Sequence, residues 1–368
     1  MAKKPKINYR EIKYKYNPKE SYYLDLKPMM KRGKFLNFCV SSRRMGKTFS
    51  TTLIALDEWF KKGRNTLWLR RYDPQITKEL NRANQWWPEI VEFYCKKYGR
   101  EYIEAKRDKN ILYIDGEPVI YYETLASAVS QKGHSISGIS LIVFDEFIEK
   151  QRWRYISPAE EEPTEYFLKT WSTIFRDDNI PVNERKVICI ANAESLANPY
   201  FNEFQLVDKI QPDTEWLISD EDDICYYMPR MSKALKEKLM GDPVYRIISK
   251  TSYAAVAIDN TFFDGGQLNI KEKLLPSSKQ LFSIQIYGTN YFVYEQRENK
   301  NTEYIYVSTQ GTFGKYRYVL DIGSIQDEKE IVIKSEVLTY MREALRNNIV
   351  RYADVKTRSI FTDAVKGR

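Results

Sequence analysis

Two rhythms of apolar and polar positions divide the chain. In the first, residues 35–40 are almost wholly apolar and read as a short buried strand that runs into a turn and then a helix. That helix carries Leu53, Leu56 and Phe60 on one face and is predicted to stop near Gly63. Residues 66–70 read as a second strand, ended by Arg71-Tyr72-Asp73-Pro74, and a helical piece with Trp86 and Trp87 follows. Residues 111–114 and 119–122 flank Asp115-Gly116, a pair suited to a two-residue hairpin turn. Residues 140–144 form a buried strand followed at once by Asp145-Glu146. A helix over 165–175 leads to the apolar strand 186–190 and Ala191-Asn192-Ala193. Strands that alternate with helices and are apolar throughout predict a mostly parallel sheet covered on both faces. Residues 216–218 and 224–228 are expected as edge strands around the acidic turn 220–223.

The second rhythm begins after Pro229. A basic helical segment at 231–240 and a polar, turn-rich stretch at 250–266 read as a linker. Strands are then expected at 281–287, 291–295, 304–308 and 316–320, with an amphipathic helix at 336–346. Several strands and then a helix make a small α+β domain. The expected organisation is a basic arm at 1–34, an α/β domain at 35–229, a linker at 230–275 and a second domain at 276–368.

Composition narrows the function classes. A chain of 368 residues with 43% hydrophobic and 14% aromatic residues can bury a substantial core. No run approaches the ~20 apolar residues that span a bilayer, and no apolar signal core follows Met1-Ala-Lys-Lys-Pro-Lys, so a cytoplasmic protein without a membrane partner is expected. Cys39, Cys95, Cys189 and Cys225 lie far apart in apolar surroundings and read as buried free thiols. The single histidine, His134, cannot build a zinc site with such scattered partners. The net charge of +8 is uneven: residues 1–34 carry +8, residues 342–368 carry +4, and the span between carries −4. Basic ends on a slightly acidic middle suit a polyanionic partner, although solubilising termini would look the same.

Candidate chemistry starts in the turn after the first strand. Ser41-Ser42-Arg43-Arg44-Met45-Gly46-Lys47-Thr48 fits the phosphate-binding pattern G-x-x-x-x-G-K-[ST] everywhere but at its first position, where Ser41 replaces glycine. Backbone N–H groups of such a loop face phosphate oxygens. Lys47 adds a cation at the β- and γ-phosphates, Thr48 offers a hydroxyl to Mg²⁺, and Gly46 allows close backbone approach.

The second half of the site is Leu141-Ile142-Val143-Phe144-Asp145-Glu146. Four apolar residues and then two acids deliver carboxylates to the C-terminal end of a buried strand, where open α/β sheets bind ligands. Asp145 would hold Mg²⁺ beside Thr48, and Glu146 would orient and polarise an attacking water. A strand separates the two motifs in sequence, which places the chain among P-loop ATPases with an additional strand and a catalytic glutamate. The guanine-reading Asn-Lys-x-Asp pattern is absent, which favours ATP. From these residues, alternatives to a translocating motor are a helicase- or recombination-type ATPase and a nucleotide-stabilised nucleic-acid-binding scaffold.

The chain resembles the DNA-packaging ATPases of small podophages, the encapsidation-protein type, which are short relatives of large terminases. The resemblance rests on residues 37–48, on Trp68-Leu69-Arg70-Arg71-Tyr72, on residues 142–148, on Phe175-Arg176, on residues 189–193 and on Asn198-Pro199-Tyr200-Phe201. It continues more weakly into Ile258-Asp259-Asn260 and Phe282-Ser283-Ile284. It implies an ATP- and Mg²⁺-dependent motor that drives double-stranded DNA into a procapsid. The motor would act as a homo-oligomeric ring, a pentamer by family resemblance. It would work in the host cytoplasm, transiently at the portal vertex of the procapsid, with a packaging RNA in some relatives. Non-glycine residues in the phosphate loop are usual in that family. Arg176 would be an arginine finger reaching a neighbouring subunit, the alternative being a surface salt-bridge arginine. Lys132 is a second candidate for action in trans. Asn192 would sense the γ-phosphate, or simply cap its strand. Arg43 would sense phosphate or link nucleotide state to neighbouring elements. Arg71 and Lys150 are candidate DNA contacts. The C-terminal domain would be RNase H-like. Its first strand, residues 281–287, carries no acid, so a vestigial nucleic-acid-binding domain without nuclease activity is expected.

Overall fold

The computed structural model describes residues 10–11, 24–130, 138–148, 163–176, 179–196, 198–207, 209–211, 214–251, 254–259, 262, 273–286, 288–299, 302–320, 325, 327–347 and 349–366. Its contacts divide the chain into two units, 1–263 and 264–368. In chain order, unit 1 opens with β1 (Arg10–Glu11), α1 (Lys27–Met30), β2 (Leu36–Val40), α2 (Lys47–Lys62), β3 (Asn65–Arg70) and α3 (Asp73–Lys97). It continues with β4 (Ala105–Asp108), β5 (Ile111–Ile114), β6 (Glu117–Thr124), α4 (Leu125–Ser130), β7 (Ile139–Asp145), α5 (Pro163–Ile174), β8 (Lys186–Ala191) and α6 (Pro199–Glu203). The hairpin strands β9 (Trp216–Ser219) and β10 (Ile224–Tyr227) precede three short helices, α7 (Lys233–Met240), α8 (Pro243–Ile248) and α9 (Ala254–Ala257).

The strand order is β1-β9-β10-β2-β8-β7-β3-β6-β5-β4. The six strands from β10 to β6 run parallel, and antiparallel strands finish both edges. β2 and β7 are buried along their whole length, which explains their near-continuous apolar sequence. One face of the sheet, with Cys39, Trp68, Val143 and Ile188, packs under Ile54 and Ala55 of α2 and Leu80 and Trp87 of α3. The other face carries Phe38 and Phe144, whose rings meet Phe147, Phe167, Tyr200 and Phe201 from α5, α6 and the loop after β7. The sheet is therefore sandwiched between helices, as its sequence predicts.

Several expectations change in the structure. β10 is no edge strand: it pairs in parallel with β2, beside the phosphate loop. The arm is partly built in, because Leu24, Leu26 and Met29 are buried in the core and β1 pairs with β9. The stretch 230–275, read as a linker, carries α7–α9, whose Leu235, Leu239, Tyr245 and Ala257 join the same core. Most of it thus belongs to unit 1. The polar spacing that looks like a linker is the outer face of short helices with only one buried side.

Unit 2 contains β11 (Lys279–Ile286), β12 (Thr289–Asn299), β13 (Thr302–Ser308), β14 (Arg317–Val319), β15 (Glu330–Val332), α10 (Ser335–Arg346), β16 (Val350–Tyr352) and α11 (Val355–Lys366). Its order is β15-β14-β11-β12-β13-β16. β11, β12 and β13 form an antiparallel meander, and β14 and β15 add in parallel beside β11. β16 extends the sheet alongside β13, in parallel. Ile284, Ile286, Val293 and Val307 face Leu338 and Met341 of α10 and Phe361 of α11. Among the described residues no helix is long and apolar enough to cross a membrane.

Candidate nucleotide site

The loop between β2 and α2 builds one half of the site. Gly46 is the N-cap of α2, in the left-handed region at φ 87°, and Arg44 is left-handed as well at φ 62°. Two such residues turn the chain sharply enough to aim the start of α2 back over the strand end. Ser41 and Ser42 are fully buried, and the Ser41 N–H is held by the Ala191 carbonyl of β8 at 3.1 Å. Met45 is a core residue, which anchors the loop from below. Ser41, in place of glycine, is used: its hydroxyl accepts from Lys47 at 3.1 Å.

Lys47 folds into this loop. Its Nζ donates to the Ser41 carbonyl (2.9 Å), the Ser42 carbonyl (2.9 Å) and Asn192 Oδ1 (3.0 Å). Burial pushes its pKa down to about 8, against the pull of the Asp145 and Glu146 charges. Thr48 is the second residue of α2, so its hydroxyl lies at the helix N-terminus beside the loop. Asn192 directly follows β8, which places the predicted sensing group against the loop lysine.

The carboxylates arrive on β7. β8 lies between β2 and β7, and all three strands are parallel. Val40 pairs with Ala191 and Asp145 pairs with Ile190, so both motifs leave the sheet at the same edge, one strand apart. Asp145 is buried, and burial raises its carboxyl to about 6, opposed by Arg70 and reinforced by Glu146. Glu146 is half exposed and left-handed at φ 56°, an uncommon conformation for a residue with a β-carbon.

The structure adds a residue that the sequence reading left without a role. Arg70 ends β3, next to β7, and its guanidinium reaches Asp145 Oδ2 at 2.7 Å and Glu146 Oε2 at 2.8 Å. Glu79 of α3 stands 3.9 Å away on the same group. One planar cation thus neutralises both acids, as a bidentate arginine can. The available signal was positional: Arg70 is the last residue of a strand that neighbours the acidic one. Its sequence neighbour Arg71, expected to contact DNA, is buried at 1% exposure, with its guanidinium donating to the Tyr200 hydroxyl at 3.0 Å. That placement removes it as a DNA contact.

Other predicted residues fall at different distances. Arg43 is exposed and reaches Glu194 at 3.4 Å. Arg44 reaches away from the loop to Asp242 of the α8 cap at 3.7 Å and stacks over the Tyr245 ring. Arg176 is exposed just past α5, its Nε held by the Ser172 carbonyl. The preceding Phe175 packs on Phe35 ahead of β2, and its carbonyl accepts from Arg185 ahead of β8. Those partners lie at the N-terminal edge of the parallel strands, opposite the phosphate loop. Lys132 and Lys150 lie outside the described residues.

The donor set fits a Mg²⁺–nucleotide. The loop supplies backbone N–H groups and a lysine, Thr48 supplies a hydroxyl, and buried Asp145 already faces a cation in the form of Arg70.

Comparison with known proteins shows the family to which the chain belongs. A family model described as podovirus DNA encapsidation protein (Gp16) matches residues 18–367. The DNA packaging protein of Bacillus phage phi29 is 30% identical over 274 residues, covering 73% of this chain and 74% of that protein. The DNA packaging protein of Bacillus phage B103 is 28% identical over 261 residues, covering 71% and 74%. Among solved structures, a chain of the bacteriophage phi29 genome packaging motor assembly superposes with a TM-score of 0.64 at 24% identity, covering 94% of this chain and all of that one. At that identity the superposition speaks to the fold.

Proposed function

Because the chain belongs to the podovirus DNA encapsidation protein family, we propose that it is the ATP-hydrolysing motor that moves double-stranded DNA into a viral procapsid. It is a viral DNA-packaging protein by that membership, and its fold is that of a packaging ATPase. One observation carries the enzymatic reading: β2 and β7, parallel and separated only by β8, bring Lys47, Asp145 and Glu146 to one edge of the sheet.

In this reading Lys47 exchanges its loop carbonyls and Asn192 for β- and γ-phosphate oxygens. Asn192 is then free to report whether a γ-phosphate is present. Thr48 and Asp145 would hold Mg²⁺, which supplies charge neutralisation at the phosphates. Asp145 must give up Arg70 to do so. Glu146 acts as the base that aligns and polarises water, and it too must leave Arg70, its partner at 2.8 Å. Arg70 would thus compete with Mg²⁺ and the attacking water for the two acids.

In this reading Arg176 does not serve the site of its own chain. It lies past α5, whose 12 residues run about 18 Å along the sheet from the strand-end side. We propose a ring neighbour's γ-phosphate as its target, an arginine finger in trans rather than a surface salt-bridge arginine, with Lys132 as the second candidate for such a role. The partners we propose are double-stranded DNA, the portal of the procapsid and other copies of this chain in a ring, a pentamer by family resemblance. A packaging RNA is a further proposed partner. The setting is the host cytoplasm and the portal vertex. DNA contacts of a motor that accepts any sequence are mainly ionic, so affinity should fall steeply with salt.

Unit 2 we read as a vestigial nuclease that binds nucleic acid. β11 carries no acid, and its inner and outer positions are filled by Phe282, Ser283, Ile284 and Gln285. Plasmid incubated with the protein and Mg²⁺ or Mn²⁺ should stay intact; metal-dependent cutting lost on mutating acids of unit 2 would overturn this.

The test of the motor reading is ATP turnover with DNA and procapsids. Lys47→Ala should abolish nucleotide binding and hydrolysis. Glu146→Gln should abolish hydrolysis while ATP still binds. Turnover that survives Glu146→Gln would remove Glu146 from the chemistry.

A further inference from the structure

β9 is the second strand from its side of the sheet, and only the two residues of β1 lie outside it. Trp216, Leu217, Ile218 and Ser219 are all buried, and β10 occupies one of its two backbone edges. The other backbone edge is a template for a further strand. Among the described residues, only β1 lies along it, with Arg10 opposite Ile218 and Glu11 opposite Leu217. Arg10 adds a fork onto Asp220 at 2.6 and 3.2 Å, and Lys34 joins the same carboxylate at 2.9 Å. Asp220 opens a turn of four consecutive acids, residues 220–223, whereas residues 1–34 carry a net charge of +8. The two pieces are complementary in backbone pairing and in charge.

Three features make this strand exchangeable. The pairing is two residues long, and its ion pair is exposed on both sides, at 57% and 55%. An exposed pair of this kind is screened by water and adds little to hold the strand in place. Residues 12–23 separate β1 from the buried Leu24, enough chain to reach about 40 Å when extended. Nothing in the seat itself distinguishes the arm of its own chain from that of an identical neighbour. The strand that fills the seat, β1, precedes the residues that the family model matches, which begin at 18.

We propose that the outer edge of β9 is a strand-acceptor site, and that in the assembled ring it is filled by residues 10–11 of a neighbouring copy. The arm then ties each subunit to the next through β-strand addition plus the Arg10–Asp220 fork. This rests on the ring reading above. It also gives the basic arm an acidic protein target rather than a nucleic acid. In a ring, the neighbour's edge is held at high effective concentration, so the exchange gains an intersubunit contact at little additional cost in chain entropy.

The test uses two single-cysteine additions in the full-length chain, Arg10→Cys and Asp220→Cys, mixed in equal amounts and treated with a short bismaleimide. The four natural cysteines are buried, which keeps background labelling low. Sedimentation on the same samples reports whether rings have formed on procapsids. Covalent dimers in the mixture, and a ladder of higher multimers from the double variant Arg10→Cys/Asp220→Cys, are expected once rings are present. Rings without any intermolecular product, with the double variant closing only on itself, would overturn the exchange and leave the motor reading standing. Absence of rings by sedimentation in every condition would instead bring down the ring reading, and this proposal with it.

Discussion

The ammonium of Lys47 is surrounded by oxygens, and none of those it bonds is charged: two loop carbonyls, the Ser41 hydroxyl and the Asn192 amide. Its hydrogen bonds are satisfied, but burial lowers its pKa to about 8 from an ordinary 10.5, because the charges of Asp145 and Glu146 offset only part of the lost hydration. The unfolded chain keeps this proton more tightly than the folded one. The contribution of Lys47 to stability is therefore least favourable below pH 8 and improves as pH rises from 8 towards 10.5. A triphosphate reverses the situation by supplying the missing negative charge, so nucleotide binding should draw in a proton. Calorimetry at pH 8.5 in buffers of different ionisation enthalpy should show uptake of about half to one proton per ATP, and little at pH 7. No uptake at pH 8.5 would mean that the loop does not hold the lysine short of a counter-charge. Arg70 is the mirror case, a cation that serves two acids. Replacing it with alanine leaves Asp145 buried and unpaired, a change that costs about 3–5 kcal/mol. Mg²⁺–ADP should recover much of that loss, so Arg70→Ala should show a lower melting point and a larger ligand-induced rise than the parent. Equal rises would argue that Arg70 and the metal do not compete for Asp145.

At the scale of elements, the sequence is legible where the signal is local. β2, its loop and α2 are read correctly because strand, turn and helix signals follow within thirty residues, and Gly63 ends α2 in the left-handed conformation at φ 62°. Asp115 and Gly116 make the expected hairpin turn, both at positive φ. What stays hidden is set by distant partners. The place of β10 beside β2 depends on strand order, which four residues of sequence do not carry. β15 and β16 have three residues each, too few for a period of two to show. The two acids of the site are evident because an apolar strand ends in them, whereas the importance of Arg70 appears only once β3 lies against β7. A loop of unit 2 offers a test of packing at this scale. Gly311 lies against the outer face of the meander, and a β-carbon there would clash with the Tyr294 hydroxyl and stand 2.6 Å from the Phe292 ring. Neither ring is free to retreat, since both are buried against Tyr306 in a small aromatic cluster. Gly311→Ala should therefore cost about 1–3 kcal/mol. The melting of unit 2 should fall by on the order of 10 °C, with nucleotide binding in unit 1 unchanged. An unaltered midpoint would show that the loop can lift away freely.

For the whole molecule, the decisive fact is that the phosphate loop and Arg176 belong to opposite edges of one sheet. Phe175 is fixed there by Phe35 and Arg185, each of which precedes its strand, while the loop follows β2 at the other end of about 17 Å of strand. In the ring proposed above, the nucleotide of one copy would meet the guanidinium of the next across the interface between them. Homogeneous Arg176→Ala and Glu146→Gln proteins should both fail to hydrolyse ATP, each for its own reason. Mixed together, they should recover activity, because a chain with intact Glu146 then meets a neighbour with intact Arg176. With random assembly at equal amounts, about a quarter of the interfaces carry that pairing. Recovered turnover should follow that fraction as the ratio is varied, peaking near equal amounts. An arginine that served its own chain's nucleotide would give no recovery at any ratio. An arginine needed only for folding would be absent from the mixture's assembled rings altogether, which sedimentation of a tagged Arg176→Ala chain distinguishes from loss of chemistry.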